Sequence, residues 1–343
     1  IGNNYGQFIA WGWGEGTGPI NLTGDLGSVF GTMPNPAGDN RALPRGYKMS
    51  AQPGAAWNNV NIMKIAESIS GSRYKKDLAG NYPDGIGFKH PWSGATKPKP
   101  FNEYSFLKSP RYDTGTGYKV FEVGPLSRLV VAGAYWAGVL AAVGYGATPL
   151  WGQPGPDISN PTYPLHAVYN VAPATGGPNL SGVAYTGDST LDRIAARTIE
   201  TRILIDVCQQ ELNNVQGTIG GDGYATTGVT DPQVPVSTTV KKGYGMTEAS
   251  RGALSHWMKM KNGKIQKYQC VVPTTWNASP RDVNGNPGPA EKSMEGDQTW
   301  IANPAEPIEL PRITHSYDFC IACAIHLLSP KGEVTKVDVP ALP

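Results

Sequence analysis

The sequence predicts an α+β fold in which two long helices and one β hairpin are joined by long, ordered loops. The helices are predicted at residues 129–147 and 189–215, where the chain is uncharged or shows a helical period, and the hairpin at residues 256–272. The 343 residues include 43 Gly and 30 Pro without a repeating period, which indicates ordered loops rather than a collagen-like chain or a flexible linker.

The first predicted helix is an uncharged run from Leu129 to Ala147. Its 19 residues reach the lower end of the length that spans a membrane. We interpret it instead as a buried helix of a soluble bundle, because it is rich in Ala and Gly and Arg128 is its only flanking positive charge. Thr148-Pro149 ends the helix. A shorter helix is predicted from Asn61 to Ser68.

The second predicted helix begins at Ser189, which together with Asp192 resembles a capping box. Helical spacing places six residues on one face, which we expect to be buried: Leu191, Ala195, Thr198, Ile205, Cys208 and Leu212. The charged residues of the helix fall largely elsewhere: Arg193, Arg197, Glu200 and Glu211. We therefore interpret Cys208 as a core cysteine rather than a ligand.

The predicted hairpin turns at Asn262-Gly263, a pair typical of a type I′ turn. Side chains alternate along its first strand, with His256, Met258 and Met260 on one side. The return strand becomes apolar towards Val272.

The charge composition argues against nucleic-acid binding, because the formal net charge is +2 and only 16% of residues are charged. The four cysteines are more informative, since only Cys320 and Cys323 lie close together. Such a pair can bind one metal ion or cycle as a redox disulfide. A structural zinc site would need a second close pair, and a thioredoxin-like site would need a strand–CxxC–helix context.

Half of a metal site, completed by residues elsewhere, fits the cysteine pair better than these two alternatives. Thiolates suit soft or borderline metals, and nickel is one of them. His315 and His326 bracket the pair and favour a metal environment.

The segment from His315 to His326, HSYDFCIACAIH, resembles the closing signature of nickel–iron hydrogenase large subunits, H-S-F-D-P-C-x-x-C-x-x-H. Further blocks agree with that family and keep its order: Ser109–Tyr112, Phe121–Arg128, Ala195–Glu200, and Arg251–Trp257 running on to Tyr268–Trp276. The last of these looks most like the membrane-bound uptake members.

The resemblance implies a mainly α-helical (α+β) fold, with a central helical bundle, peripheral β hairpins and long loops. It also implies a buried nickel–iron centre that carries carbon monoxide and cyanide on the iron and interconverts dihydrogen with two protons and two electrons. A second ion, Mg²⁺ or Fe²⁺, is expected nearby.

Three residues form the catalytic set that the resemblance implies: Arg251, Asp318 and Cys320. Cys320 resembles the terminal nickel thiolate, and Cys323 resembles the thiolate that bridges nickel and iron. Arg251 resembles the arginine over the metals, which hydrogen-bonds a cyanide and is a candidate base for heterolytic cleavage. Asp318 resembles the aspartate that orients this arginine through a charge-assisted bond.

Four other residues match positions around the centre. Pro273 and Thr274 resemble the dipeptide beside the other cyanide. His326 resembles a ligand of the second ion. Cys270 lies where the family offers a backbone carbonyl to that ion, so its thiol is not expected to be a ligand.

The chain departs from the family in lacking the N-terminal Cys-x-x-Cys pair that supplies the other two nickel thiolates. We expect residues 1–326 to be the C-terminal part of a split or truncated large subunit, whose N-terminal fragment carries that pair. Residues 327–343 resemble the tail that a maturation protease removes. Phe319 and Ser250 replace the usual prolines beside two functional positions.

Partners and location follow from the uptake-type resemblance. We expect an iron–sulfur small subunit and a membrane cytochrome b as partners, and a membrane-associated location in the periplasm or on the outer face of the cell membrane, with the cytoplasm as the alternative. Two other functions stay open. A non-catalytic structural relative is disfavoured by retention of both cysteines, whereas a metal-free, unprocessed precursor is favoured by the tail and the missing pair.

Overall fold

A computed structural model gives the fold. It describes residues 1–12, 43–51, 55–78, 81–84, 87–94, 97–99, 103–132, 188–198, 200, 201, 204, 208, 212, 237–295, 301–320, 327–328 and 334–335.

The strands within these ranges form small antiparallel sheets. In chain order they are β1 (Phe8–Ala10), β2 (Gly46–Lys48), β3 (Ile65–Ser68), β4 (Ser109–Asp113), β5 (Tyr118–Lys119), β6 (Lys241–Ala249), β7 (Gly252–Lys261), β8 (Lys264–Val271), β9 (Leu327–Leu328) and β10 (Val334–Thr335). β1 pairs with β2 and β9 with β10, while β3-β4-β5 and β6-β7-β8 form three-stranded sheets.

The helices are short where their bounds are described. They are Pro125–Ala132, Pro273–Asn277, Pro289–Met294 and Glu309–Ser316, together with the 3-10 helix Ile62–Lys64. The second predicted helix is helical at each of its described residues from 190 on: 190–198, 200, 201, 204, 208 and 212. Strands and helices contribute comparably to the described residues, which do not confirm a mainly α-helical class. Residues 133–147, most of the first predicted helix, lie outside them. No helix in the described ranges is long and apolar enough to cross a membrane.

One hydrophobic core joins the first sheets to the β6–β8 sheet. Its buried members are Ile9, Trp11, Val60, Ile65, Trp92, Tyr112, Phe121, Val123, Ala253, Trp257, Val271 and Trp276. Trp11 meets Trp276 edge to face at 6.0 Å, and Trp92 meets Trp257 in the same way at 5.0 Å. This packing fixes β7, β8 and the helix Pro273–Asn277 against one another.

The predicted hairpin is confirmed as β7 and β8. Asn262 and Gly263 have φ values of 52° and 68°, as a type I′ turn requires. A third strand, β6, was not predicted and pairs with β7 along its whole length.

The second predicted helix begins as expected, but its buried face was wrongly predicted. Ser189 and Asp192 form the reciprocal capping bonds, with the Ser189 N–H 2.9 Å from the Asp192 carboxylate and the Asp192 N–H 3.3 Å from the Ser189 hydroxyl. Cys208, however, is exposed. The buried side includes Arg193 and Glu200, because each pairs with an opposite charge from the segment 122–128.

The predicted helix from Asn61 to Ser68 is also wrong over its second half. Asn61 does cap a helical turn by accepting a bond from the Met63 N–H, but this turn is the 3-10 helix Ile62–Lys64. The following residues form β3, whose four residues are all buried and pair with β4. Tertiary pairing therefore outweighs the local preference.

Candidate metal-centre site

The turn between β6 and β7 places Arg251. Ala249 pairs with Gly252, so Ser250 and Arg251 form a two-residue loop. Gly252 has a φ of 130°, and a Cβ there would lie 2.7 Å from the Gly124 nitrogen. Only glycine permits this backbone conformation and this close approach, which seats the turn on the segment before the helix Pro125–Ala132.

Arg251 reaches across to Asp318 through two hydrogen bonds. Its Nε donates to the Asp318 backbone carbonyl at 2.7 Å, and its Nη2 donates to the carboxylate Oδ1 at 3.3 Å. The two side chains are 39% and 42% exposed, so the pair is open to solvent or to a ligand in this chain. Nη1 donates to no residue in the part of the chain that the structure describes.

The end of the helix Glu309–Ser316 sets the position of Asp318. Asp318 has a φ of 52°, and its N–H donates to the His315 carbonyl at 3.0 Å, which is the geometry of a left-handed helix cap. Aspartate tolerates this conformation better than most residues. The reversal of the chain presents both the carbonyl and the carboxylate of Asp318 to Arg251.

Tyr317 holds the same helix end in the interior. Its hydroxyl accepts a bond from the Asn4 amide at 2.9 Å, and the Arg193 guanidinium lies 4.0 Å from its ring centroid. Burial raises the pKa of this phenol, and the nearby Arg193 only partly opposes that effect. Tyr317 therefore stays neutral and anchors the residue before Asp318.

Cys320 is tied to the helix that follows β8. Its backbone N–H donates to the Thr274 hydroxyl at 3.2 Å, and Thr274 is only 3% exposed. Pro273 begins this helix at a position where its missing N–H costs nothing. The bond links the segment that ends in Cys320 to the buried core through Thr274.

Comparison with protein families shows which family the chain belongs to. The model of the nickel-dependent hydrogenase family matches residues 8–142 and 178–326. The chain belongs to the nickel-dependent hydrogenase family. The family match includes Arg251, Thr274, Asp318 and Cys320.

Relatives of known function agree with the nickel-dependent hydrogenase assignment. The chain is 33% identical to the uptake hydrogenase large subunit of Bradyrhizobium diazoefficiens, over 93% of this chain and 51% of that protein. It is 36% identical to the hydrogenase-2 large chain of Escherichia coli K12, over 81% of this chain and 43% of that protein. The chain thus spans about half the length of the curated relatives it matches.

Solved structures show that the fold is shared with hydrogenases. The Ni-Fe-Se hydrogenase of Desulfomicrobium baculatum superposes with a TM-score of 0.60 at 24% identity, covering 94% of this chain and 52% of that chain. The reduced Ni-Fe-Se hydrogenase of Desulfovibrio vulgaris Hildenborough gives a TM-score of 0.60 at 23% identity, covering 94% and 53%.

The structure brings together four of the predicted site residues: Arg251, Asp318, Cys320 and Thr274, with Pro273 adjacent. Cys323 and His326 lie outside the described residues. In the described ranges, no group of three or more His, Cys, Asp or Glu side chains could hold a metal ion.

Cys270 and His315 have other surroundings. The Cys270 thiol lies 3.6 Å from His256 Nδ1 on the neighbouring strand, and burial raises the pKa of this thiol. This contact is compatible with the expectation that its thiol is not a metal ligand. His315, one of the bracketing histidines, is exposed in the last turn of its helix.

Sequence reasoning missed one residue beneath the Arg251 turn. Arg128 is buried, and its guanidinium contacts Glu200, Glu248 and the turn backbone. The blocks that contain Arg128 and Glu200 were both singled out by the family resemblance, but nothing local in either block predicts that they meet.

Proposed function

We propose that this chain supplies the C-terminal half of the active site of a nickel–iron hydrogenase large subunit, which cleaves and forms dihydrogen. The main observation behind this proposal is that three separate segments, which contain Arg251, Thr274 and Asp318–Cys320, meet at one site. Arg251 bonds Asp318 twice, and Cys320, two residues further on, bonds Thr274. Membership of the nickel-dependent hydrogenase family supports it.

The available donors suit the implied centre. Cys320 is a half-buried thiol whose backbone is held by Thr274, and thiolates are appropriate ligands for nickel. Cys320 and Cys323 would hold the centre through their thiolates. When bound, the nickel–iron centre, with carbon monoxide and cyanide on its iron, supplies the two-electron chemistry that interconverts dihydrogen with protons and electrons.

Arg251 has a proton-handling and charge-stabilising role in this proposal. Asp318 engages its Nε and Nη2, so Nη1 is the nitrogen left to meet a cyanide or to accept a proton in heterolytic cleavage. The Asp318 carboxylate stabilises the guanidinium through a charge-assisted bond and orients it.

The surrounding residues complete the proposed site. Pro273 and Thr274 would lie beside the second cyanide. His326 and the Cys270 carbonyl would bind the second ion, Mg²⁺ or Fe²⁺, since oxygen and imidazole ligands suit such ions.

The chain spans about half of its relatives' length, so we propose that other chains complete the enzyme. An N-terminal large-subunit fragment would bring the other Cys-x-x-Cys pair, and an iron–sulfur small subunit would take the electrons. A membrane cytochrome b as a further partner and a periplasmic location, with the cytoplasm as the alternative, are proposed from the uptake-type sequence resemblance alone.

We also propose that residues 327–343 are a tail of the kind removed in maturation, so that residues 1–326 form the mature part. Intact mass spectrometry of the purified protein tests this. A mixture of full-length and shortened chains, with only the shortened one containing nickel, is expected. Nickel in the full-length chain would contradict it.

Metal and infrared analysis of the copurified complex tests the function. We expect nickel and iron in equal amounts, infrared bands from carbon monoxide and cyanide, and hydrogen-dependent reduction of a dye. A metal-free complex without these bands would instead indicate an unprocessed precursor or a non-catalytic structural relative.

A further inference from the structure

The two residues of the loop that carries Arg251 do not themselves favour a tight hairpin turn. Two-residue hairpin loops favour type I′ or II′ turns, in which the first loop residue has a positive φ. Neither Ser250 nor Arg251 has a positive φ. The conformation of this loop therefore depends on Gly252, which follows it with a φ of 130°, and on contacts from outside the hairpin.

Arg128 provides such contacts from the helix Pro125–Ala132. Its Nη1 donates to the Ala249 carbonyl at 2.9 Å, and its Nη2 donates to the Ser250 carbonyl at 3.0 Å. These are the two carbonyls that immediately precede Arg251. One planar guanidinium thus fixes two successive peptide groups, which a lysine ammonium could not match in geometry.

Two buried carboxylates hold Arg128 in turn. Glu200 takes both Nε and Nη2, the latter at 2.6 Å, and Glu248 accepts from Nη1 at 2.8 Å. The side chains of Arg128, Glu200 and Glu248 are 4%, 7% and 2% exposed. Burial alone would lower the pKa of Arg128, but its bond to Glu200 and the charge of Glu248 outweigh burial and raise it.

Glu248 also connects the buried triad of Arg128, Glu200 and Glu248 to the hydrophobic core. Its Oε1 accepts a bond from the Trp11 N–H at 2.6 Å, and Trp11 is fully buried. The Arg251 turn is therefore braced against β1, the helix Pro125–Ala132 and Glu200 of the second predicted helix at once.

We propose that Arg128, held by ion pairs with Glu200 and Glu248, is the positioning residue that fixes the backbone of Arg251 at the proposed metal centre. It acts through the turn carbonyls and touches no reacting group. The inference rests on the proposed function only for the role of Arg251, since the bracing of the turn is independent of the metal.

The test is Arg128→Lys in the assembled complex, with Arg111→Lys as the matched control. Arg111 is also buried and bonds a buried carboxylate, Asp282, at 2.8 Å, but its other described bonds go to Pro110 and the loop around Ser279 and Asn286. Amide hydrogen exchange of the turn peptide, and kcat and KM for hydrogen-dependent dye reduction, are measured for both variants.

For Arg128→Lys we expect exchange at residues 249–252 to rise at least about tenfold and kcat to fall by about tenfold with little change in KM, because charge-assisted bonds to the turn are lost. For Arg111→Lys, faster exchange is expected at residues 279–286 and not at the turn. Glu248→Gln, which keeps the shape of the triad, should give a smaller effect in the same direction as Arg128→Lys if the lysine variant does not assemble.

Unchanged turn exchange in both the Arg128 and Glu248 variants would overturn the proposal, and so would a loosened turn with unchanged kcat. Wild-type complex without nickel would refute the proposed function instead. In that case the exchange measurement still decides whether Arg128 braces the turn.

Discussion

The two turns at the ends of β7 reach the same outcome, a tight hairpin, by opposite means. Asn262-Gly263 is exposed and adopts positive φ values that its own residues favour. Ser250-Arg251 adopts no such conformation, and its turn depends on Gly252 and on Arg128, which lies more than a hundred positions earlier in the chain.

This difference suits the roles of the two turns. A self-specified turn needs only to reverse the chain, whereas a turn that presents the proposed site arginine must hold it at a fixed place relative to Asp318 and Cys320. Rigid support beneath the loop, together with the cap that orients Asp318, provides that placement.

The largest effect is expected from Arg128→Met. This change leaves Glu200 and Glu248 buried without their partner, which should cost about 3–5 kcal/mol in the free energy of unfolding. Thermal unfolding of the complex measures it, and Glu248→Gln/Arg128→Met should recover part of the loss. An unfolding midpoint equal to that of the wild type would show that the triad does not support the turn.

Arg251→Lys is expected to affect activity rather than stability. The ammonium cannot reproduce the two bonds to Asp318 and still present a further donor, so hydrogen-dependent dye reduction should fall about 100-fold. The unfolding midpoint should change little, because the pair is partly exposed. Wild-type activity in this variant would remove Arg251 from the proposed site.

Gly252→Ala tests the close approach beneath the functional turn. The new Cβ would meet the Gly124 nitrogen and Val123 Cγ2, both at 2.7 Å, at a φ of 130°. We expect a loss of about 1–3 kcal/mol in stability and faster amide exchange around Arg251. A variant as stable as the wild type would indicate that the turn can shift freely.

Gly263→Ala is the counterpart at the other turn and should have the smallest effect. The alanine must adopt a left-handed conformation, which costs about 1 kcal/mol. Dye-reduction activity should be unchanged, since this exposed turn contacts no predicted site residue within the part of the chain that the structure describes. Loss of dye-reduction activity in Gly263→Ala would contradict the view that only the Ser250-Arg251 turn supports the proposed site.

The same contrast explains what could be predicted from the sequence. The Asn262-Gly263 turn and the Ser189–Asp192 capping box are local, and both predictions are confirmed. The buried face of the second predicted helix was wrongly predicted, because Arg193 and Glu200 are buried by charge pairing with distant Glu122 and Arg128.

The family resemblance supplies candidate site residues but not the contacts that support them. The family resemblance named Arg251, Asp318, Thr274 and Cys320, and the structure places them in contact as two linked pairs. Spacing alone would not have joined these segments, which come from separate parts of the chain. The bracing by Arg128 depends on a tertiary arrangement that no single block reveals.

The most direct test of the central claim is the nickel content of the purified complex carrying Cys320→Ser, compared with Cys208→Ser as the matched control. Cys208 is exposed and is not a predicted ligand. We predict that Cys320→Ser loses nickel and hydrogen-dependent dye reduction, while Cys208→Ser keeps both. Full nickel occupancy with undiminished activity in Cys320→Ser would contradict the assignment of this chain to the nickel–iron site.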